Sequence, residues 1–361
     1  MVGRTNFWIE YLRPLYKGVW LLKIWEIGAR TGISGLRMSE REEPTLGAGE
    51  LLVKITAAGL NHRDLMVLAG DYGSDLPESR IPLSDGVGVV EAIGAGVTGF
   101  HVGDRVTAPH FVNWLDGPYN FGIFAADLGV TADGWLAEKI TLPASAAIAL
   151  PAGINDQTAA SLSVVAGTVW HAMVAFGGVK RGELVLAQGT GGVSIFALQL
   201  AKALGADCAI TSSSDKKLAR AKEIGADYAI NYRDRPDWAA ALLEQTGGRG
   251  ADVVVDTLGF PALAETVAAT AVNGRIGTVG ALSGTPQAQF SVSQGEMIGK
   301  NITLKGLASG SREMVAAAAA IVAEHGICNP VDKEFAFADA PDAFRHLASG
   351  SHFGKILIRM D

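Results

Sequence analysis

The sequence predicts an α/β protein in two parts: a mostly antiparallel, partly closed β-barrel, then a doubly wound parallel sheet whose final segment returns to the barrel. Three observations predict it. Up to Pro151 the apolar stretches are short, alternating and punctuated by Gly, Pro and Asp. Beyond Asn155 nearly all-apolar strands each lead into a helical segment, the pattern of a parallel sheet covered on both faces. The chain has 361 residues, 48% hydrophobic and 19% charged, which suffices for two globular cores.

The barrel is expected over residues 19–154. Its strands are read in "GELLVKITAAG", "GVGVVEAIGAGV", "GDRVTAP" and "WLAEKITLP", and the aromatic, glycine-rich stretch from His110 to Gly134 is expected to be a long surface excursion. Residues 1–18 form a separate extension. They carry aromatics and positive charge, but Glu10 and Pro14 interrupt them and no apolar core precedes a small-residue cleavage site, so no signal peptide is expected. A packed arm, a disordered segment and a misassigned start all remain open for them.

The parallel-sheet domain is expected over 155–307. It opens with the helical "DQTAASLSVVAGTVWHAMVAF" and continues with the strand "ELVLAQ", a helix from Gly192 to Leu204, "DCAIT", a helix from Asp215 to Ile224, and "YAINY". A helix near Trp238 to Thr246, "DVVVDTLG", a helix near Pro261 to Ala271, and "RIGTVG" complete the alternation. Residues 308–361 then supply an alanine-rich helix near Glu313 to His325 and the strand "FGKILIRM", which returns to the barrel.

Composition narrows the partners. A net charge of −7 without a basic block argues against nucleic acid or an anionic membrane surface as the main partner. Apolar runs such as Met314 to Val322 are too short to span a bilayer. Two cysteines, Cys208 and Cys328, fit a reducing, cytoplasmic compartment and cannot supply a multi-thiolate metal site.

The informative motif is "LAQGTGGVS". Gly189-x-Gly191-x-x-Ser194 follows an apolar strand and opens a long apolar helix, with serine in place of the third glycine of a dinucleotide fingerprint. Gly191 and Gly192 would let the backbone approach a pyrophosphate, which the helix N-terminus stabilises. At the end of the next strand, NAD-binding chains usually carry an Asp or Glu for the ribose hydroxyls. Here stand Ser212, Ser213 and Ser214, followed by Lys216 and Lys217. Ser214 also reads as a helix cap with solvated lysines behind it. The missing carboxylate favours NADPH over NAD.

Together, "AAGLNHRDLMVLAGDYG", "IPLSDGVGVVEAIGAGVTGFHVGDRV", "AASLSVVAGTVWHAM", "VLAQGTGGVSIFALQLAKALGA" and "HFGKILIRM" resemble the medium-chain dehydrogenase/reductase superfamily from about Val19 to the C-terminus. The resemblance implies a GroES-like catalytic domain for the barrel and a Rossmann domain for the parallel sheet. It also implies a homodimer or homotetramer. In the zinc branch of that superfamily the first motif has Cys where this chain has Asn61, a histidine–glutamate pair where it has Ser84–Asp85, and a third ligand where it has Val164. The stretch His110 to Gly134 lacks the four cysteines of a structural-zinc lobe, so no metal is expected. His62 and Asp64 are read as structural.

The resemblance carries Asn61 over as a cofactor-cleft residue, and Tyr72 of "GDYG" as a proton or hydrogen-bond donor, as in enoyl thioester reductases. The other reading of Tyr72 is a loop aromatic at the cleft mouth. Similarity to NADPH quinone reductases places Lys217 on the 2′-phosphate and Tyr232 over that pocket. It also puts Thr168, Val193, Leu258 and Gly280 along the cofactor. The expected activity is zinc-independent, NADPH-dependent reduction of quinones or α,β-unsaturated carbonyl compounds. An alcohol or ketone dehydrogenase and a non-catalytic nucleotide-binding redox sensor are the alternatives.

Overall fold

The computed structural model describes residues 21–73, 75–280 and 292–360; the 1–18 extension lies outside them. Strands β1 (Leu21–Glu26) and β2 (Arg37–Glu42) pair with each other antiparallel. They precede β3 (Glu50–Gly59), α1 (His62–Ala69), β4 (Asp85–Ile93), β5 (Arg105–Thr107), β6 (Lys139–Pro143) and β7 (Ile148–Ala149). β3 organises this part, because β4 runs along one side of it while β6 takes its first half on the other. With partners on both edges and packing on both faces, β3 is almost wholly buried rather than alternating.

The parallel sheet comprises β8 (Leu184–Gln188), β9 (Asp207–Ser212), β10 (Tyr228–Asn231), β11 (Ala251–Asp256), β12 (Thr270–Thr278) and β13 (Thr303–Gly306) in the order β10-β9-β8-β11-β12-β13. Its connecting helices are α2 (Gly192–Ala203), α3 (Asp215–Ile224), α4 (Trp238–Gln245), α5 (Leu263–Ala269) and α6 (Gln294–Gly299). The order reverses between β8 and β11, which makes the carboxyl end of β8 the place where such sheets bind ligands. After α7 (Arg312–His325), the chain adds β14 (Val331–Ala336), α8 (Ala340–Ala348) and β15 (Lys355–Arg359) to the first sheet, with β15 on the second half of β3.

Two departures from expectation matter for the site. The helix expected through Phe176 is divided, with Asp156–Ala159 and Gly167–Trp170 α-helical but Leu162–Ala166 and His171–Phe176 π-helical. Here the Val164 N–H donates outward to Asp85 Oδ1 at 2.7 Å, a diversion that widened helical turns permit. The segment also lies tight on the barrel: a β-carbon on Gly59 would stand 2.1 Å from the Ala160 carbonyl oxygen. Barrel residues Ala57, Val87 and Leu357 accordingly join the same apolar core as Val165, Val169 and Phe196.

The stretch from His110 to Gly134 is the second. It is more than a surface excursion, because Phe111, Trp114 and Ile123 are buried and pack against Ala308 and Met314. The amides of Arg312 and Glu313 donate to the carbonyls of Trp114 and Leu115 at 2.9 and 3.0 Å. Its aromatics are a small core joining the barrel to α7. Its tip, including Phe121 at 83% exposure, stays outside.

Candidate active site

The glycine turn sits at the carboxyl end of β8. Gly189 adopts a φ of +81°, available to glycine at little cost, and its N–H donates to Thr211 Oγ1 at 3.3 Å. Around the site of a Gly191 β-carbon the space is open, the nearest atom being His352 Nε2 at 4.0 Å. Gly192 carries a packing constraint as well: a β-carbon there would meet Lys355 Cδ at 2.7 Å. Ser194 replaces the third glycine usefully, since its buried hydroxyl donates to the Gln188 carbonyl at 2.6 Å and ties strand end to helix.

Most of the other predicted cofactor residues lie at or just beyond the carboxyl ends of β9, β10, β11 and β12. Ser212 is buried at the end of β9, where its hydroxyl accepts from the Ser214 N–H at 3.3 Å and its carbonyl from the Tyr232 N–H at 3.1 Å. Ser213 is half-buried beside it and Tyr232 is 41% exposed. Ser214 caps α3, as expected, accepting from the Lys217 N–H at 3.4 Å. Lys217 Nζ donates to the Gly350 carbonyl at 3.0 Å. The Leu258 amide donates to Asp256 Oδ1 at 3.1 Å, and a β-carbon on Gly280 would stand 2.2 Å from the Thr257 carbonyl oxygen. Both therefore lie where β11 and β12 end. Val193 is half-buried in the first turn of α2, while Thr168 lies buried in the Gly167–Trp170 helix and donates to Ser309 Oγ at 3.1 Å.

Asn61 begins α1 with a capping box in which its backbone N–H donates to Asp64 Oδ2 at 2.7 Å. Asp64 is thus structural, as expected, and burial raises its pKa to about 7 despite neighbouring Arg63. The Asn61 side chain donates to Asp85 Oδ2 at 2.8 Å and accepts from Lys355 Nζ at 2.9 Å. Lys355 gives its other hydrogen bonds to the Leu60 carbonyl at 2.7 Å and Asp85 Oδ2 at 3.1 Å, and it is only 2% exposed. Sequence reasoning missed this lysine. Its one local signal was a charge inside an apolar strand.

Tyr72 lies beside a second buried cluster that the sequence did not disclose. The Arg63 guanidinium sits 4.8 Å from the Tyr72 ring centroid, and its Nη2 donates to Asp127 Oδ2 at 2.5 Å. His110 Nδ1 is 2.8 Å from Asp127 Oδ1 and 2.6 Å from Arg63 Nη1. Burial and then Arg63 push the His110 pKa down, so the ring is neutral and Nδ1 serves one of these partners at a time. Burial raises the Tyr72 phenol above its ordinary value. His62, one residue before Arg63, is exposed.

A zinc-binding dehydrogenase model matches residues 192–324, and an alcohol dehydrogenase GroES-like domain model matches 47–152. A zinc-type alcohol dehydrogenase-like protein of Schizosaccharomyces pombe is 38% identical over 339 residues, covering 92% of this chain and 97% of its own length. An acryloyl-coenzyme A reductase of Sulfurisphaera tokodaii is 27% identical over 90% of this chain and 96% of its own. The crystal structure of a putative alcohol dehydrogenase from Sinorhizobium meliloti superposes with a TM-score of 0.88 at 35% identity, covering 96% of this chain and all of that one.

The chain belongs to the medium-chain dehydrogenase/reductase superfamily. It is accordingly an NAD(P)-dependent oxidoreductase with a GroES-like catalytic domain and a Rossmann domain. The residues fit the dinucleotide of a medium-chain reductase, because the open face of Gly191 is a cradle that any side chain would fill. They do not fit the zinc of the superfamily's metal-dependent members. Asp85 is the acidic group at those ligand positions, and its oxygens already accept from Asn61, Val164 and the Lys355 ammonium. Among the described residues no group of three or more His, Cys, Asp or Glu is arranged to hold a metal ion. No described helix is long and apolar enough to cross a membrane.

Proposed function

We propose that this medium-chain reductase is zinc-independent and uses NADPH to reduce quinones or the C=C bond of α,β-unsaturated carbonyl compounds. The observation that carries the reading is Lys355: a buried ammonium, 3.1 Å from Asp85 and 2.9 Å from Asn61, occupies with its charge the neighbourhood a catalytic metal would need. NADPH is preferred because Ser212 and Lys217 stand where a carboxylate would repel a 2′-phosphate.

When bound, the reduced nicotinamide supplies the hydride. The chain's own contribution begins with alignment, since Asn61 is fixed by hydrogen bonds to Asp85 and Lys355 and cannot wander across the cleft. Tyr72 then supplies the polar group at the substrate end. Its phenol is neutral at physiological pH and gives a hydrogen bond or a proton to the enolate oxygen that develops on the substrate. Arg63, held by Asp127, fixes the tyrosine ring by stacking on it. The aromatic stretch from His110 to Gly134, anchored on α7, shields the acceptor from water. On this reading residues 19–154 and 308–361 form the catalytic domain, residues 155–307 bind the cofactor, and the protein works as a cytoplasmic homodimer or homotetramer.

The test is NADPH oxidation with 1,2-naphthoquinone, an enone and a simple ketone, together with elemental analysis. Turnover of quinone or enone without stoichiometric zinc, unaffected by chelators, is expected. Preference for the ketone, or one zinc per chain, would replace this reading with an alcohol dehydrogenase. Nucleotide binding without turnover of any acceptor would leave a redox sensor.

A further inference from the structure

The segment between α8 and β15 crosses the glycine turn, and both of its ends are fastened to the cofactor loops. At one end the Gly350 carbonyl accepts from Lys217 Nζ at 3.0 Å, beyond the end of β9. At the other, the Gly354 N–H donates to the Thr190 carbonyl at 3.0 Å, and Gly354 bridges to Gly191. Gly354 permits this with a φ of +78°; a β-carbon there would stand 2.1 Å from the Pro330 carbonyl oxygen. Between these ties Phe353 turns inward, 1% exposed beneath the Arg220 guanidinium, and its N–H donates to Asp332 Oδ1 at 3.1 Å. His352, its neighbour, faces the other way, with Nε2 4.0 Å from where a β-carbon of Gly191 would stand.

We propose that His352 binds the pyrophosphate of the cofactor, donating an Nε2–H hydrogen bond from a neutral imidazole. The proposal rests on the dinucleotide dependence of the superfamily and not on the preference for NADPH. The 2′-phosphate is a separate matter, because Ser212 and Lys217 flank the far end of the segment whereas His352 faces the turn itself.

Two features fix the imidazole's state. Nδ1 is sealed from solvent without a hydrogen-bond partner, so a proton placed there would be buried and unsatisfied. The single proton of a neutral ring therefore belongs on Nε2, the nitrogen that faces Gly191. The surrounding charges act in the same direction. Lys217 of α3 is a cation, Arg220 of α3 and His346 of α8 are set against Asp332 of β14 at 3.8 and 2.8 Å, and Lys355 of β15 is paired with Asp85 of β4, so the balance is positive. Burial, followed by Lys217, pushes the His352 pKa down to about 4. A net positive surrounding that disfavours an imidazolium favours an anion. A neutral donor facing the open cradle at Gly191 supplies what the α2 N-terminus lacks on that side.

The experiment is calorimetric binding of NADPH, NADH and ADP-ribose to wild type, His352→Ala, His352→Gln and Lys217→Ala, with thermal melts as a folding control. His352→Ala should weaken all three ligands by one common factor, about tenfold or more, the range for a hydrogen bond to a charged group. His352→Gln, whose amide N–H can stand in for Nε2–H, should recover most of that loss. Lys217→Ala should weaken NADPH alone. Near neutral pH the wild type should bind without taking up a proton, so binding heats should agree between buffers of different ionisation enthalpy. Loss confined to NADPH, loss absent, glutamine no better than alanine, or uptake of a proton would each overturn the proposal. If the alanine variant does not fold, the glutamine variant and the wild-type buffer comparison still decide it.

Discussion

Replacing Lys355 by methionine removes one ammonium and keeps most of the volume of the side chain. In the native protein that ammonium gives hydrogen bonds of 2.7, 2.9 and 3.1 Å to the Leu60 carbonyl, Asn61 Oδ1 and Asp85 Oδ2. The substitution takes this donor from the buried Leu60 carbonyl and the half-buried Asn61 Oδ1, and leaves Asp85, wholly buried, with a charge that no cation answers. Breaking a buried pair from one side costs about 3–5 kcal/mol. For a domain of this size each kcal/mol moves the midpoint by roughly 2–4 °C, so the melt should fall by about 6–20 °C. Asp85→Asn in the same chain should restore most of it. The neutral amide still accepts from Val164, and Asn61, freed from the lysine, can turn its oxygen toward the new NH2 group. Thermal melts of wild type, both single variants and the double variant give the coupling energy. A loss below about 1 kcal/mol for Lys355→Met, or strict additivity in the cycle, would refute the account of Lys355 as the ion that neutralises this site.

Three further outcomes are expected. Lys217→Ala should cost about 1–3 kcal/mol of NADPH affinity with NADH nearly unchanged, and Ser212→Asp should shift preference toward NADH; a wild type that already prefers NADH contradicts the phosphate reading. Tyr72→Phe should slow enone reduction by roughly 10²-fold and quinone reduction less, with cofactor affinity unmoved; equal small losses on all substrates would make Tyr72 a lid residue. Asp64 has a folded pKa of about 7, above its unfolded value, so its contribution to stability is complete in acid and is lost as pH rises through 7. Asp64→Asn, which keeps an oxygen for the Asn61 N–H, should therefore gain on wild type by up to about 4 kcal/mol between acid and mildly alkaline pH. Denaturant melts across that range will test it, and parallel profiles would count against a buried, titrating Asp64.

Much was written locally and could be read directly. The apolar runs of β8, β9 and β11, the Gly189 turn and the Ser214 cap each depend on residues within a few positions of one another, so the parallel sheet and its cofactor loop were legible. Other features lay in the text but took their reason from elsewhere. Gly192 reads locally as a pyrophosphate glycine, and its missing side chain also makes room for Lys355. The aromatics between His110 and Gly134 looked like a surface loop, and their burial depends on α7.

By itself, then, the sequence determined the two-part α/β architecture, the dinucleotide turn and the serine-rich end of β9, because hydrophobic period, turn chemistry and capping act over a few residues. Tertiary structure alone decided which charges meet. Lys355 reaches Asp85 across 270 positions and Arg63 reaches Asp127 across 64, while His352 arrives at Gly191 from the segment that leads back into the first sheet. A buried ion is tolerated only where its partner is delivered, and delivery depends on how β3, β4 and β15 pair and on where the π-helical segment rests against them. No local pattern encodes that pairing.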